Sequence, residues 1–164
     1  MLRTLALATI AVTLGACGEH ERLARYREPR DGWTVSYPVS MIPRTIGYSK
    51  GMLSDRGVVI SSSPRVRVTD EAAFTRFPRD AVAFGLVRSL GGPAVGASEA
   101  GAAFPLDRSA FTPVRGAPPP KLLEHDMTIG GSRWAVRVWF GPDASSKDKE
   151  NVWRIVRSIR FPQH

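Results

Sequence analysis

Between Lys121 and Phe140 two runs of alternating apolar and polar residues flank Gly130-Gly131. Adjacent glycines accept the positive φ angles that a two-residue hairpin turn demands. A turn at this pair fixes the partner of every residue in both strands. Met127 then faces Trp134, His125 faces Val136 and Leu123 faces Val138 on one side. On the other side Thr128 faces Arg133, Glu124 faces Arg137 and Leu122 faces Trp139. The Glu124–Arg137 partnership is an independent sign of this register, since opposite charges placed across strands contribute about 0.2–1 kcal/mol. The chain must therefore accommodate a long antiparallel hairpin near its end.

The rest of the pattern is consistent with that hairpin. Trp33, Val35 and Tyr37 alternate with Thr34 and Ser36, a half-buried strand stopped by Pro38. Val58–Ser62 is a second strand, ending near Pro64. Residues 64–80 are ambiguous, with a short helix expected from Asp70 to just before Pro78. Over 81–89 two periods compete. Val82, Phe84 and Leu86 alternate, whereas Ala81, Phe84 and Arg88 fit a helix. Gly85 at the centre costs a helix about 1 kcal/mol relative to Ala, and this favours strand. Residues 91–120 are rich in Gly, Pro and Ala and read as loop, with one short strand near Phe104–Leu106. No internal repeat is present.

A helix is expected from about Ser145 to Ile159. Asp143, Ser145 or Ser146 can cap its first amides. Val152, Ile155, Val156 and Ile159 fall on one stripe. Glu150 and Arg154 are spaced for an i,i+4 pair, and Arg157 and Arg160 suit the helix C-terminus. Together these elements predict a single α+β domain, an antiparallel β-sheet packed on a C-terminal amphipathic helix. The opening Gly32–Pro38, the Trp134–Phe140 strand and the closing Val152–Phe161 resemble the corresponding parts of PsbP-like domains. That resemblance implies a noncatalytic binding or assembly role.

The first residues have a different character. Met1-Leu2-Arg3 precedes an uncharged apolar run from Leu5 to Leu14, and then Gly15-Ala16-Cys17. This is the three-part layout of an export signal, too short to serve as a permanent membrane span. Leu14-Gly15-Ala16-Cys17 resembles the bacterial lipobox at each of its four positions. The resemblance implies diacylglycerol transfer to the Cys17 thiol and cleavage before it. The organisation expected is a signal peptide over 1–16, a lipidated Cys17 with a flexible tether over 17–31, and the domain over 32–164. The destination is the extracytoplasmic side of the cell membrane or of an outer membrane.

Cys17 is the one cysteine in the chain. With its sulfur carrying lipid, no disulfide can form within the mature domain, and stability must come from the apolar core. About 148 residues suffice for one. The formal charge of +8 falls to +7 when Arg3 leaves with the signal. Export argues against nucleic acid as the counterpart of this charge. The partners expected are the membrane, through the lipid on Cys17, and an envelope protein, a glycan or an anionic polymer.

Few residues suggest chemistry. Gly47-Tyr48-Ser49-Lys50-Gly51 matches G-x-S-x-G, but Pro43 before it and Gly57 after it do not allow the strand and helix of a nucleophile elbow, and a loop turn is the reading. Ser146-Lys147-Asp148-Lys149 matches S-x-x-K without companion motifs. His20-Glu21 lacks a second histidine, because position 24 is alanine. His125 lies between Glu124 and Asp126, which point to the opposite face of a strand and cannot orient its ring. No catalytic, cofactor or metal residues are therefore assigned. The function expected is a membrane-tethered binding or assembly module. The alternative is a small serine hydrolase using Ser49, or one of Ser61, Ser62 and Ser63, with His125.

One surface stands out. If only one face of the sheet is covered, Leu122 and Trp139 lie in solvent beside Arg133 and Arg137, an apolar patch rimmed by cations. If residues 64–80 cover that face instead, Trp139 belongs to the core.

Overall fold

The computed structural model describes residues 21–50, 53–68, 74–89, 104–114 and 120–162. Residues 1–16, where a signal peptide is expected, and Cys17 lie outside these residues. The strands are β1 (Leu23–Arg27), β2 (Thr34–Pro38), β3 (Ile42–Lys50), β4 (Leu53–Ser61), β5 (Arg67–Val68), β6 (Phe74–Arg76), β7 (Val82–Ser89), β8 (Thr112–Pro113), β9 (Lys121–Ile129) and β10 (Ser132–Phe140). A 3-10 turn at Arg108–Ala110 precedes β8, and the helix α1 spans Ser146–Arg157. Six strands form one sheet in the order β3-β4-β7-β10-β9-β8, antiparallel throughout. β1 pairs with β2, and β5 with β6, in two small separate sheets.

The β9–β10 hairpin has the register set by its glycine turn: Trp134 lies opposite Met127, Arg137 opposite Glu124 and Trp139 opposite Leu122. Gly130 and Gly131 have φ of 56° and 72°, the left-handed pair that matches the strand twist. Residues 81–89 resolve in favour of strand, as β7 between β4 and β10. α1 begins after Ser145, whose hydroxyl oxygen accepts the Asp148 amide at 3.0 Å. Val152, Ile155 and Val156 are fully buried along its inner stripe, as is Ile159 just past its end, where the helix was expected to reach. The described residues thus form one α+β domain with its helix laid on an antiparallel sheet.

The main core lies between α1, the β1–β2 pair and one face of the large sheet. Val58, Ile60, Val82, Phe84, Leu86, Val136 and Val138 supply the sheet side and are inaccessible to water. Aromatic rings link distant parts of the chain across it. Trp33 meets Trp134 edge-on at 6.3 Å, Trp134 meets Phe161 at 5.0 Å, and Phe111 meets Trp153 at 5.2 Å. The end of α1 is tied to β2. The Ser158 hydroxyl accepts the Ser36 amide at 2.8 Å, and Thr34 and Arg160 exchange both backbone hydrogen bonds.

Several expectations need correction. Leu23–Arg27 is not tether but strand β1, because Ala24 and Tyr26 turn inward against Tyr37 and Val35 while Arg25 and Arg27 stay outside. The folded body therefore starts before Gly32. The helix expected from Asp70 lies partly outside the described residues, and its described part, Phe74–Arg76, is β6. Phe104–Leu106 is not the short strand expected there; the strand in this stretch is Thr112–Pro113, paired with Glu124 and Leu123. Glu150 bonds to Arg157 and Arg108 rather than to Arg154.

Candidate functional site

Leu122, Arg133, Arg137 and Trp139 do share one face of the sheet, but they do not make an open patch. Trp139 is only 3 % exposed and forms a second, smaller core with Val59 and Ala83, flanked by Ile46, Phe77 and Leu122. Room for its ring comes from Gly85 on β7. A Cβ at Gly85 would stand 2.8 Å from the Trp139 ring, closer than any real contact. Phe77 comes from the 64–80 segment. Arg44 holds the neighbouring turn in place by donating to the carbonyls of Val66 and Pro64, both at 2.9 Å. Arg137 bonds to Glu124 across the strands, and Arg133, opposite Thr128 as its register requires, forms an ion pair with Asp126 at 2.8 Å. The cations that were to rim a patch are thus engaged with carboxylates, and the aromatic is core.

The serine and histidine candidates are also placed. His125 lies on the main-core face, with Nδ1 3.0 Å from the Ala110 carbonyl oxygen and its ring 5.7 Å from that of Phe111. Ser61 is buried on the opposite face in register with Ala83, and its hydroxyl donates to the Ser63 carbonyl. The Ser62 hydroxyl oxygen accepts from the Val82 amide, and that of Ser63 accepts from the Arg65 amide. Ser49 sits near the end of β3 opposite Ser54 of β4, so a strand rather than a helix follows the G-x-S-x-G stretch. That stretch is mostly strand, where a loop turn was expected. Among the described residues no group of three or more His, Cys, Asp or Glu side chains gathers as a metal site would require.

What the structure offers instead is a groove of about 620 Å³ between the start of α1 and the adjoining ends of β9 and β10. Leu123, Phe140 and Trp153 form its apolar part; Arg108, Lys121 and Lys149 bring positive charge, and Glu150 the balancing carboxylate. The Arg108 guanidinium lies 5.2 Å from the Trp153 ring centroid, a cation–π contact. Glu150 receives hydrogen bonds from Arg157, at 2.6 Å, and from Arg108. The Arg157 bond, seconded by Arg108, holds the Glu150 carboxyl below the usual glutamate range. Lys121 and Lys149 take no part in an ion pair among the described residues. Phe140 and Trp153 are themselves buried, so what the groove offers a ligand is chiefly charge: Lys121 and Lys149, with no ion pair among the described residues, can attract a negatively charged group.

Sequence reasoning missed this groove. Arg108 and Glu150 are 42 positions apart, and no periodicity relates them. The available signal was Trp153, an aromatic just off the buried stripe of a helix whose opening turn carries lysines. Compared with protein-family models, with characterised proteins and with solved structures, the chain has no match.

Proposed function

We propose that this chain is an exported lipoprotein, held on the extracytoplasmic side of a membrane by lipid on Cys17, and that its folded body is a noncatalytic binding or assembly module. The observation that carries the reading is Leu14-Gly15-Ala16-Cys17 at the end of the apolar run. Two acyl chains or more give lasting attachment, since each buried CH₂ contributes about 0.8 kcal/mol. The binding role is supported by the site geometry. His125 has its Nδ1 on the Ala110 carbonyl oxygen, and Ser61, Ser62 and Ser63 each make a local hydrogen bond. The groove over Phe140 and Trp153, with Lys121 and Lys149 beside it, suits an acidic glycan or another anionic envelope polymer.

Membrane fractionation of wild type and Cys17→Ser tests the attachment. Wild type is expected with the membranes, cleaved before Cys17 and heavier by its acyl groups in an intact-mass spectrum. Cys17→Ser is expected in the soluble envelope fraction or unprocessed. An unmodified Cys17 thiol in the wild-type protein would refute the reading.

A further inference from the structure

Two large apolar side chains are well exposed at the same end of the β1–β2 pair. Leu23 is 59 % exposed and Val39 56 % exposed. At this end Leu23 is in register with Pro38, and the Val39 amide donates to the Arg22 carbonyl at 2.9 Å. From this tip the outer face of the pair continues through Arg25 and Arg27, which alternate with Leu23, and reaches Arg160, paired with Thr34 beyond. Arg25 donates to the Thr34 hydroxyl at 3.1 Å. Arg22, Arg25, Arg27 and Arg160 take no part in an ion pair among the described residues. The carboxylate at this end, Glu21, accepts the Ser40 hydroxyl at 2.8 Å.

The position of this face in the chain matters as much as its chemistry. Leu23 follows Cys17 by six residues, and six residues fully extended span at most about 20 Å. A bilayer's polar region adds only about 6 Å on each side of its hydrocarbon core. A domain joined to its lipid by so short a connection has its β1 end within roughly 15 Å of the headgroups, close enough for this face to reach them. Apolar tips flanked by arginines are the composition that an anionic interface takes up, with the side chains dipping in and the guanidinium groups on the phosphates.

We propose that the outer face of the β1–β2 pair, from the Leu23–Val39 tip along Arg25 and Arg27, rests on the anionic phospholipid headgroups of the bilayer that holds the Cys17 lipid. The inference rests on lipid attachment at Cys17. It goes beyond attachment by fixing the orientation of the domain, which turns β1 to the lipid.

The test uses the lipidated protein in vesicles of phosphatidylglycerol and phosphatidylcholine. With Cys17 acylated, Val39→Cys supplies a single free thiol for a polarity-sensitive fluorophore, and Lys147→Cys, on the exposed start of α1, is the comparison. The Val39 probe is expected to shift to the blue and to be quenched by lipids spin-labelled near the headgroup; the Lys147 probe is expected to do neither. Arg25→Glu with Arg27→Glu is expected to reduce the Val39 shift, as high salt should, while the protein stays with the vesicles. A Val39 probe that remains in water on acylated, vesicle-bound protein overturns the orientation and leaves the anchor standing. That result is also the one expected if the face serves a protein partner or merely guards a strand edge. A protein that lacks acyl mass at Cys17 overturns both readings together.

Discussion

Trp139 and Gly85 show how one missing side chain decides the fate of a large one. The indole ring occupies the space a Cβ at residue 85 would need, and only a glycine on β7 allows β10 to carry a tryptophan there. Gly85→Ala is therefore expected to destabilise the domain by about 1–3 kcal/mol through overpacking. Trp139→Ala should cost about 3–5 kcal/mol, as for other buried tryptophans. Urea denaturation of the two variants measures both, and their double variant should show less than additive loss because the side chains touch. The sequence could place Trp139 on the face opposite the helix, since strand period alone does that. It could not say whether the face was covered, because Phe77 and Ile46 reach it from strands and turns that carry no clear alternation.

At the scale of elements, legibility followed local chemistry. The β9–β10 hairpin and α1 could be read from the sequence because each has its start, stop and buried side written within about twenty residues. β1 escaped because its inward residues are Ala24 and Tyr26 and its outward ones are mostly arginine, a pattern that reads as polar tether. β3 escaped because Pro43 interrupts it; the proline is tolerated on the sheet's edge, where only one side of the strand has a partner. The groove escaped for a different reason, being assembled by contacts distant in sequence. One such contact is open to a sharp test. Ser158 caps α1 and accepts the Ser36 amide, so Ser158→Ala should cost about 1–3 kcal/mol by leaving a partly buried donor unpaired. Hydrogen exchange at the Ser36 amide should accelerate while the β10 amides keep their protection.

Across the whole molecule, charge pairs reinforce contacts between segments distant in sequence. Arg79 and Asp143 hold the turn before β7 to the turn before α1 at 2.7 Å, and Arg108 joins the 3-10 turn to α1 through Glu150. Glu150 titrates below the ordinary glutamate range in the folded protein, chiefly because of its bond from Arg157. Its contribution to stability is accordingly present above the unfolded-state pKa and is lost as pH falls through the lower folded value. Thermal melts should show wild type and Glu150→Gln converging over that acidic interval, and an NMR titration of the Glu150 carboxyl should find its midpoint there. The exposed position of the group keeps the effect small and sensitive to salt.

The Ser36–Ser158 link spans 122 positions, and it carries a consequence for the order of events in folding. β2 has its apolar side against a helix that lies more than a hundred positions later in the sequence. Until that helix is in place, the early strands can pair with each other but are not sealed. Long-range closure of this kind slows folding, since the entropy of a large loop must be lost before the contact rewards it. Sealing of the early strands thus waits on contacts with α1 rather than following from their own pairing.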